Sequence, residues 1–159
     1  MRRSWVVTAC ALAVAGMFTA ASAQGPPGPP YGRGGGWGPH GKWGRHWDPT
    51  TVVTLSGSVV SITKITPYSG MSQGVHVELR TEKETISVHL GPSWFLDNQE
   101  LTLKKGDRVS VRGSRVTFSG TPALIAAEIH RGSDTLLLRD ESGYPLWAAW
   151  RARKGSTTL

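Results

Sequence analysis

The sequence predicts an all-β fold, a small barrel of five to six strands with one short helix between strands three and four. Three observations predict it. From Thr51 onward, Val, Ile, Thr and Leu alternate with polar residues, as half-buried strands require. Glycines interrupt two of the predicted strands where their apolar residues change face, which is typical of strands that curl to close a barrel. The short apolar segment 93–96 follows Gly91-Pro92 and favours a helical turn.

The first predicted strand covers residues 51–65. Its apolar positions are Val53 and Leu55 before Gly57, and Val60 and Ile62 after it. A change of face at a glycine predicts a bulge or a sharp bend. A loop, residues 67–74, then leads to the second strand.

The second and third strands form the clearest hairpin, because apolar and polar residues alternate on both sides of a turn centred on Glu82-Lys83. This register places aliphatic residues together on one face, as a half-buried sheet requires. The predicted pairs are Val75 with Leu90, Val77 with Val88, and Leu79 with Ile86. The opposite face then sets His76 beside His89.

The remaining strands follow the helical turn. A turn at residues 101–107 precedes a fourth strand, 108–118, whose apolar residues change face around Gly113. The fifth strand is predicted over 122–131 and a short sixth over 135–139. Five strands, a helix between the third and fourth, and two glycine bends match the OB-fold barrel. An open β-sandwich is the structural alternative.

The N-terminus predicts export. A basic start, Met1-Arg2-Arg3, precedes an apolar run from Trp5 to Phe18 and the small residues Ala21-Ser22-Ala23. This order is that of a secretory signal peptide cleaved after Ala23. The alternative is a membrane anchor, but the run is short for a bilayer core of ~30 Å. Cleavage predicts a periplasmic protein without cysteine, because Cys10 is the only one in the sequence.

Residues 24–49 are predicted to form a disordered arm rich in Gly, Pro, Trp and His. Fourteen of the twenty-four residues from 24 to 47 are Gly or Pro, and ordering such a backbone is costly. The predicted OB-fold-like domain covers 50–150, and a basic tail covers 151–159. Residues 51–150 contain ten Lys or Arg and ten Asp or Glu, so the positive charge lies mainly in the tails. Such tails favour anionic surfaces or polymers more than a DNA-binding fold.

Four histidines are candidate metal ligands. His40 and His46 lie in the glycine-rich arm, beside Trp37 and Trp43, where a flexible backbone could wrap around Cu(II) or Zn(II). His76 and His89 lie on facing strands, and Glu78 is a candidate third ligand. The alternative is a soluble arm without bound metal and two solvent-exposed histidines on the outer face of the barrel. His130 is expected to be a surface residue.

The sequence does not predict an enzyme. Gly70-Met71-Ser72-Gln73-Gly74 has the letters of a nucleophile elbow, but it joins two short strands where that motif needs a strand, a sharp turn and a helix. The carboxylate pairs Glu82/Glu84 and Asp140/Glu141 lie in predicted turns, with no sign of a sheltered cleft. The remaining aromatic residues are expected to pack, with Trp94 and Phe95 plugging one end of the barrel and Trp147 and Trp150 lying on one face of a final helical turn.

The segments GVHVELRTEKETISVHLGPSWFLD, GDRVSVRGSR, PALIAAEI and LLLRDESGYPLW resemble a group of small exported OB-fold proteins. That group is related to the domain of the MamS and MamX magnetosome proteins, and HLGPSWFLD and LRDESGYPLW are the most specific segments. The resemblance implies an envelope protein linked to metal, redox or stress processes. Some relatives carry haem-attaching Cys-x-x-Cys-His segments, which this chain lacks, so the resemblance does not imply direct electron transfer.

Together these observations predict a non-enzymatic periplasmic binding module. The expected ligand is a metal ion such as Cu(II) or Zn(II), or an envelope protein that handles metal or redox stress. The alternative is binding of nucleic acid or another anionic polymer through the basic arms and the barrel face. No catalytic residue and no organic cofactor is predicted.

Overall fold

The computed structural model describes residues 36–39, 41 and 43–148. Six strands and one short helix follow two turns of 3-10 helix at Gly44–His46 and Pro49–Thr51. The strands are β1 (Val52–Ile65), β2 (Gly74–Arg80), β3 (Thr85–Pro92), β4 (Arg108–Phe118), β5 (Thr121–Arg131) and β6 (Asp134–Leu137), and the helix α1 (Ser93–Leu96) lies between β3 and β4. The predicted strands and helix are confirmed, although β6 ends two residues before Arg139.

Five of the strands close into a ring. The sheet order is β3-β2-β1-β4-β5-β6, and an additional pairing of β3 with β5 joins its ends. That closing pair is parallel and runs through Ser87–Ala123, Val88–Leu124 and His89–Ile125, whereas the other pairs are antiparallel. The predicted small β-barrel is therefore confirmed, and the open sandwich is excluded. Strand β6 extends the sheet beyond the ring.

The two predicted bends let β1 and β4 curl. β1 pairs with β4 over residues 52–58 and then with β2 over 58–65, with a register shift between Val59 and Ser61. A side chain at Gly57 would collide with the carbonyl of Arg80, so this close approach requires glycine. β4 shifts register between residues 112 and 113. The face predicted after the first bend was wrong, because Val59 is buried whereas Ile62 is 38% exposed.

The β2–β3 hairpin has the predicted register over most of its length. Val77 pairs with Val88, Leu79 with Ile86 and His76 with His89. Val75 pairs with Gly91 and not with Leu90, because the register shifts between Val75 and His76. All six aliphatic residues of the predicted inner face are nevertheless buried in the barrel core. This core face fixes the two histidines on the opposite side of the same strands.

Aromatic side chains close one end of the core. Trp94 and Phe95 of α1 are buried, as predicted, and the ring of Phe95 lies 5.4 Å from that of Trp147. Trp147 is itself only 1% exposed. Trp150 lies outside the described residues, so its predicted position beside Trp147 stays a prediction.

The prediction of a disordered arm is wrong for the part of it that the structure describes. Trp37 is 2% and Trp43 is 6% exposed, and both belong to the hydrophobic core cluster. Tryptophan burial offsets the cost of ordering the Gly- and Pro-rich backbone around them. The predicted signal peptide, the first part of the arm and the basic tail lie outside the described residues. Within the described part of the chain, no helix is long and apolar enough to cross a membrane.

Candidate functional site: a covered histidine pair

The paired histidines of β2 and β3 are the centre of the candidate site. The imidazole rings of His76 and His89 stack with their centroids 3.9 Å apart and their planes inclined by 16°. The stack follows from the register, because directly opposite residues on antiparallel strands project to the same side of the sheet. The sequence therefore predicted this juxtaposition correctly.

The alternative reading of these histidines as solvent-exposed is wrong. His76 is 8% and His89 is 6% exposed. Burial lowers the pKa of His76 from 6.5 to about 4. Burial also lowers the pKa of His89 to about 3, with smaller contributions from the charges of His76, Arg139 and His46. Both rings are therefore neutral at neutral pH.

Trp43 covers the pair from outside the barrel. Its ring lies 4.9 Å from the ring of His89 at an angle of 23°, and 4.9 Å from the ring of Phe118 at an angle of 9°. His46 meets the edge of Phe118 at 4.6 Å, and Tyr68 meets the edge of Trp43 at 6.2 Å. We refer to these residues as the histidine–aromatic cluster: Trp43, His46, Tyr68, His76, His89 and Phe118.

A second tryptophan ties the covering segment to the barrel. The indole N–H of Trp37 donates to the carbonyl of Ser72 at 3.1 Å, and the carbonyl of Trp37 accepts from Nε1 of Trp147 at 2.6 Å. The ring of Trp37 also lies directly against Gly74, where any side chain would collide with it. This anchor determines where the following residues cross the β2–β3 face.

Three nitrogen atoms of the cluster are buried without a hydrogen-bond partner. They are Nε1 of Trp43, Nε2 of His76 and Nδ1 of His89. An unsatisfied buried polar group costs ~1–3 kcal/mol, so most proteins pair such atoms. Three of them around one interface mark this face as unusual for a structural core.

The closed arrangement does not form a metal site. An imidazole binds a metal in the plane of its ring, at ~2.0–2.1 Å from nitrogen. The rings of His76 and His89 are nearly parallel, so their in-plane lone pairs do not converge on one ion. No group of three or more His, Cys, Asp or Glu residues with metal-binding geometry occurs among the described residues, and Glu78 completes none. His40 lies outside the described residues, whereas His46 belongs to the cluster.

The other residues singled out in the sequence do not belong to the histidine–aromatic cluster. His130 is exposed and pairs with Glu128 at 2.9 Å, as expected for a surface residue. The segment 70–74 joins β1 to β2 and forms no strand–turn–helix elbow. Glu84 forms a bidentate pair with Arg115, with distances of 2.6 and 2.8 Å. Asp140 accepts hydrogen bonds from the backbone of its own turn.

Sequence reasoning missed Arg139, the one arginine buried among the described residues. Its Nη1 donates to the carbonyls of Leu90 (3.1 Å) and Ala126, and its guanidinium lies 4.8 Å above the ring of Trp147. Burial lowers the pKa of Arg139 to about 9. The apolar residues Leu136 and Leu138, which precede Arg139, were the only signal of its burial, and periodicity alone does not assign a charged residue to the core.

The fold and the cluster define a small closed β-barrel with a covered aromatic face. Residues 51–136, more than half of the chain, match the model of the MamS/MamX magnetosome protein family. The chain therefore belongs to the MamS/MamX family, as the sequence resemblance indicated. The matched residues include His76, His89 and Phe118, whereas Trp43 precedes them. No curated protein matches the chain.

Proposed function

We propose that this member of the MamS/MamX family is a non-enzymatic binding module that works in the periplasm, and that the histidine–aromatic cluster is its binding site. Its N-terminal sequence, with a basic start, an apolar run and Ala21-Ser22-Ala23, supports export and cleavage after Ala23. The observation that carries the binding proposal is the convergence of His46, His76 and His89 on one covering tryptophan.

Neutral imidazole supports a transition metal as the first ligand to test. A metal binds the deprotonated form, and the buried pair stays in that form well below neutral pH. Nε2 of His76 and Nδ1 of His89 have no other partner, so coordination would satisfy them. Because the stacked rings do not converge, Trp43 would have to leave and the imidazoles would have to turn. His46, and His40 before it, would then supply further ligands for Cu(II) or Zn(II).

Metal titration tests this proposal. The chain from Gln24 is titrated with Cu(II) and with Zn(II), and electron paramagnetic resonance of the copper form reports nitrogen coordination. We expect one ion per chain, with affinity reduced at least tenfold in His89→Phe and in His46→Ala. The exposed His130→Gln variant is the matched control and should bind like the parent chain. Equal binding by all four proteins would contradict the proposed site.

Export is tested separately. The full chain is produced in a bacterium, and the periplasmic fraction is examined by N-terminal sequencing. We expect a product that begins at Gln24. Replacing Ala21 and Ala23 by Leu should block cleavage, because the peptidase requires small residues there. An uncleaved protein that stays in the cytoplasm would contradict the proposed location.

A second function, binding of an anionic polymer such as nucleic acid, is favoured by one groove. It has a volume of about 550 Å³ and is lined by Arg80 and Arg108 together with the hydroxyl groups of Ser56, Ser58 and Ser110, and one carboxylate, Glu82, also lines it. Neither arginine is paired with a carboxylate in the described part of the chain, so both are available to phosphate or sulfate groups.

Heparin chromatography tests this second function. Retention should fall steeply with salt and should weaken in an Arg80→Ala/Arg108→Ala double variant. The control is Arg115→Ala, because Arg115 is already paired with Glu84. Retention that is the same in both variants would exclude the groove as the binding surface.

A further inference from the structure

The described residues from Trp37 to Asp48, namely 37–39, 41 and 43–48, form a strap across the β2–β3 face that is fixed at both ends. Trp37 makes the two hydrogen bonds described above, and the backbone N–H of Asp48 donates to Oγ of Ser114 at 3.0 Å. Between these anchors, the hydrogen bonds of the described residues all stay within the strap, as in Gly41 N to Gly38 O and His46 N to Trp43 O. Trp43 and His46, in the described part of its centre, meet the barrel through ring contacts.

Trp43, at the centre of the strap, lies where a flat ligand would lie. Its ring is nearly parallel to those of Phe118 and His89, with both centroids 4.9 Å away. His76 continues the same surface behind His89, at 3.9 Å. These distances are typical of offset stacking, which any planar ring can enter because every such ring has a π face.

The two tryptophans of the strap differ in their hydrogen bonding. Trp37 is anchored to the barrel by hydrogen bonds, whereas Trp43 only stacks on its surface. The indole N–H and the backbone carbonyl of Trp37 both have hydrogen-bond partners, whereas Nε1 of Trp43 is buried without one. The surface below Trp43 also has two unpartnered nitrogens, on His76 and His89. A ring stacked on the imidazole faces does not reach these in-plane nitrogens, so they are satisfied only when a displacing ligand lets the imidazoles turn and offers a donor and an acceptor at its edge. An indole, with a single N–H, offers only a donor.

We infer that the β2–β3 face is a binding site for a planar heteroaromatic ring, and that Trp43 occupies it as an intramolecular ligand that such a molecule displaces. The inference shares the location of the proposed metal site but does not depend on metal binding. The anchors of the strap keep Trp43 close to the site. A ligand therefore has to compete with this tethered indole ring.

Benzimidazole is a suitable probe, because it is a neutral bicyclic ring with one donor and one acceptor nitrogen. Binding to the chain from Gln24 is measured by calorimetry in buffer with a chelator, which removes metal ions. We expect the Trp43→Ala variant to bind at least tenfold more tightly than the parent chain, because the tethered competitor is gone. Indole should bind about fivefold more weakly than benzimidazole, since it lacks the acceptor.

Displacement is followed in the parent chain by trypsin cleavage after Arg45, an exposed strap residue. Saturating benzimidazole should accelerate this cleavage, whereas a strap that is a permanent part of the core would be unaffected. Phe118→Leu removes one stacking surface and should weaken binding. Tyr144→Ala is the matched control, since Tyr144 is exposed and lies outside the cluster.

Two results would overturn the inference. One is that Trp43→Ala keeps the amide spectrum of the folded barrel but does not bind benzimidazole. The other is that the parent chain binds the probe without faster cleavage after Arg45. If Trp43→Ala does not fold, Trp43→Phe replaces it and should show tighter binding than the parent chain. Loss of metal binding in the titration above leaves these outcomes unchanged, so the two proposals fail separately.

Discussion

Acidification should destabilise this protein well before its carboxylates are protonated, because His76 and His89 are buried in the neutral form. Their folded-state pKa values are about 4 and about 3, against 6.5 for an unperturbed histidine. Between pH 6.5 and those values the unfolded chain binds more protons than the folded chain. The free energy of unfolding therefore falls as the pH falls through this window, and it is fully recovered above pH 6.5.

The magnitude follows from the two shifts. At a pH of about 5, the unfolded rings are almost wholly protonated and the folded rings are not, which corresponds to ~2 kcal/mol for each histidine. Solvent screening and local opening reduce this limit, so we expect the pair to lower the free energy of unfolding by ~2–3 kcal/mol between about pH 7.5 and about pH 5. The structure thus predicts an uptake of nearly two protons on unfolding in that range.

Urea unfolding followed by tryptophan fluorescence, at half-unit intervals of pH, measures this effect. A His76→Phe/His89→Phe variant keeps two stacked rings but cannot titrate, so its stability should change little above about pH 5. His130→Gln controls for the loss of an exposed histidine and should retain the parent slope. A flat profile in the parent chain, or an equal slope in the double Phe variant, would refute the reasoning about burial.

Three further changes probe individual contacts. Trp43→Ala should lower the free energy of unfolding by ~2–4 kcal/mol and raise the pKa of His89 toward 6.5, because the cover that desolvates it is gone; urea unfolding and NMR titration measure the two effects. Arg139→Met should lower stability by ~2–3 kcal/mol in urea unfolding, because the carbonyls of Leu90 and Ala126 lose their donor. Glu84→Gln should lower the midpoint of urea unfolding only slightly, and less at high salt, because its ion pair with Arg115 is partly exposed.

The barrel could be predicted from the sequence because each of its strands has a local signal. Alternation with a period of two placed Val77 and Leu79 on one face, and it necessarily placed His76 on the other. Glycines 57 and 113 indicated the bends, since only glycine allows the neighbouring backbone to approach so closely. The closure of the strands into a barrel was predicted from these two glycine bends and from the position of the helix between the third and fourth strands.

The cover over the histidines could not be predicted in the same way. Alternation shows which residues share a face but does not show what packs on that face from a distant part of the chain. The Gly and Pro content of the arm indicated a backbone that is costly to order. It did not indicate that Trp37 and Trp43 would be buried, because that depends on complementary surfaces at Gly74 and Phe118.

The pKa of His89, measured in the chain from Gln24 by NMR titration of its ring protons, tests the central claim most directly. If Trp43 seals a neutral histidine pair on the barrel, the ring should remain unprotonated at pH 5 and should show nuclear Overhauser contacts to the indole of Trp43. Protonation near pH 6.5 without such contacts would mean that the face is open to water, and the account of a covered binding site would be wrong.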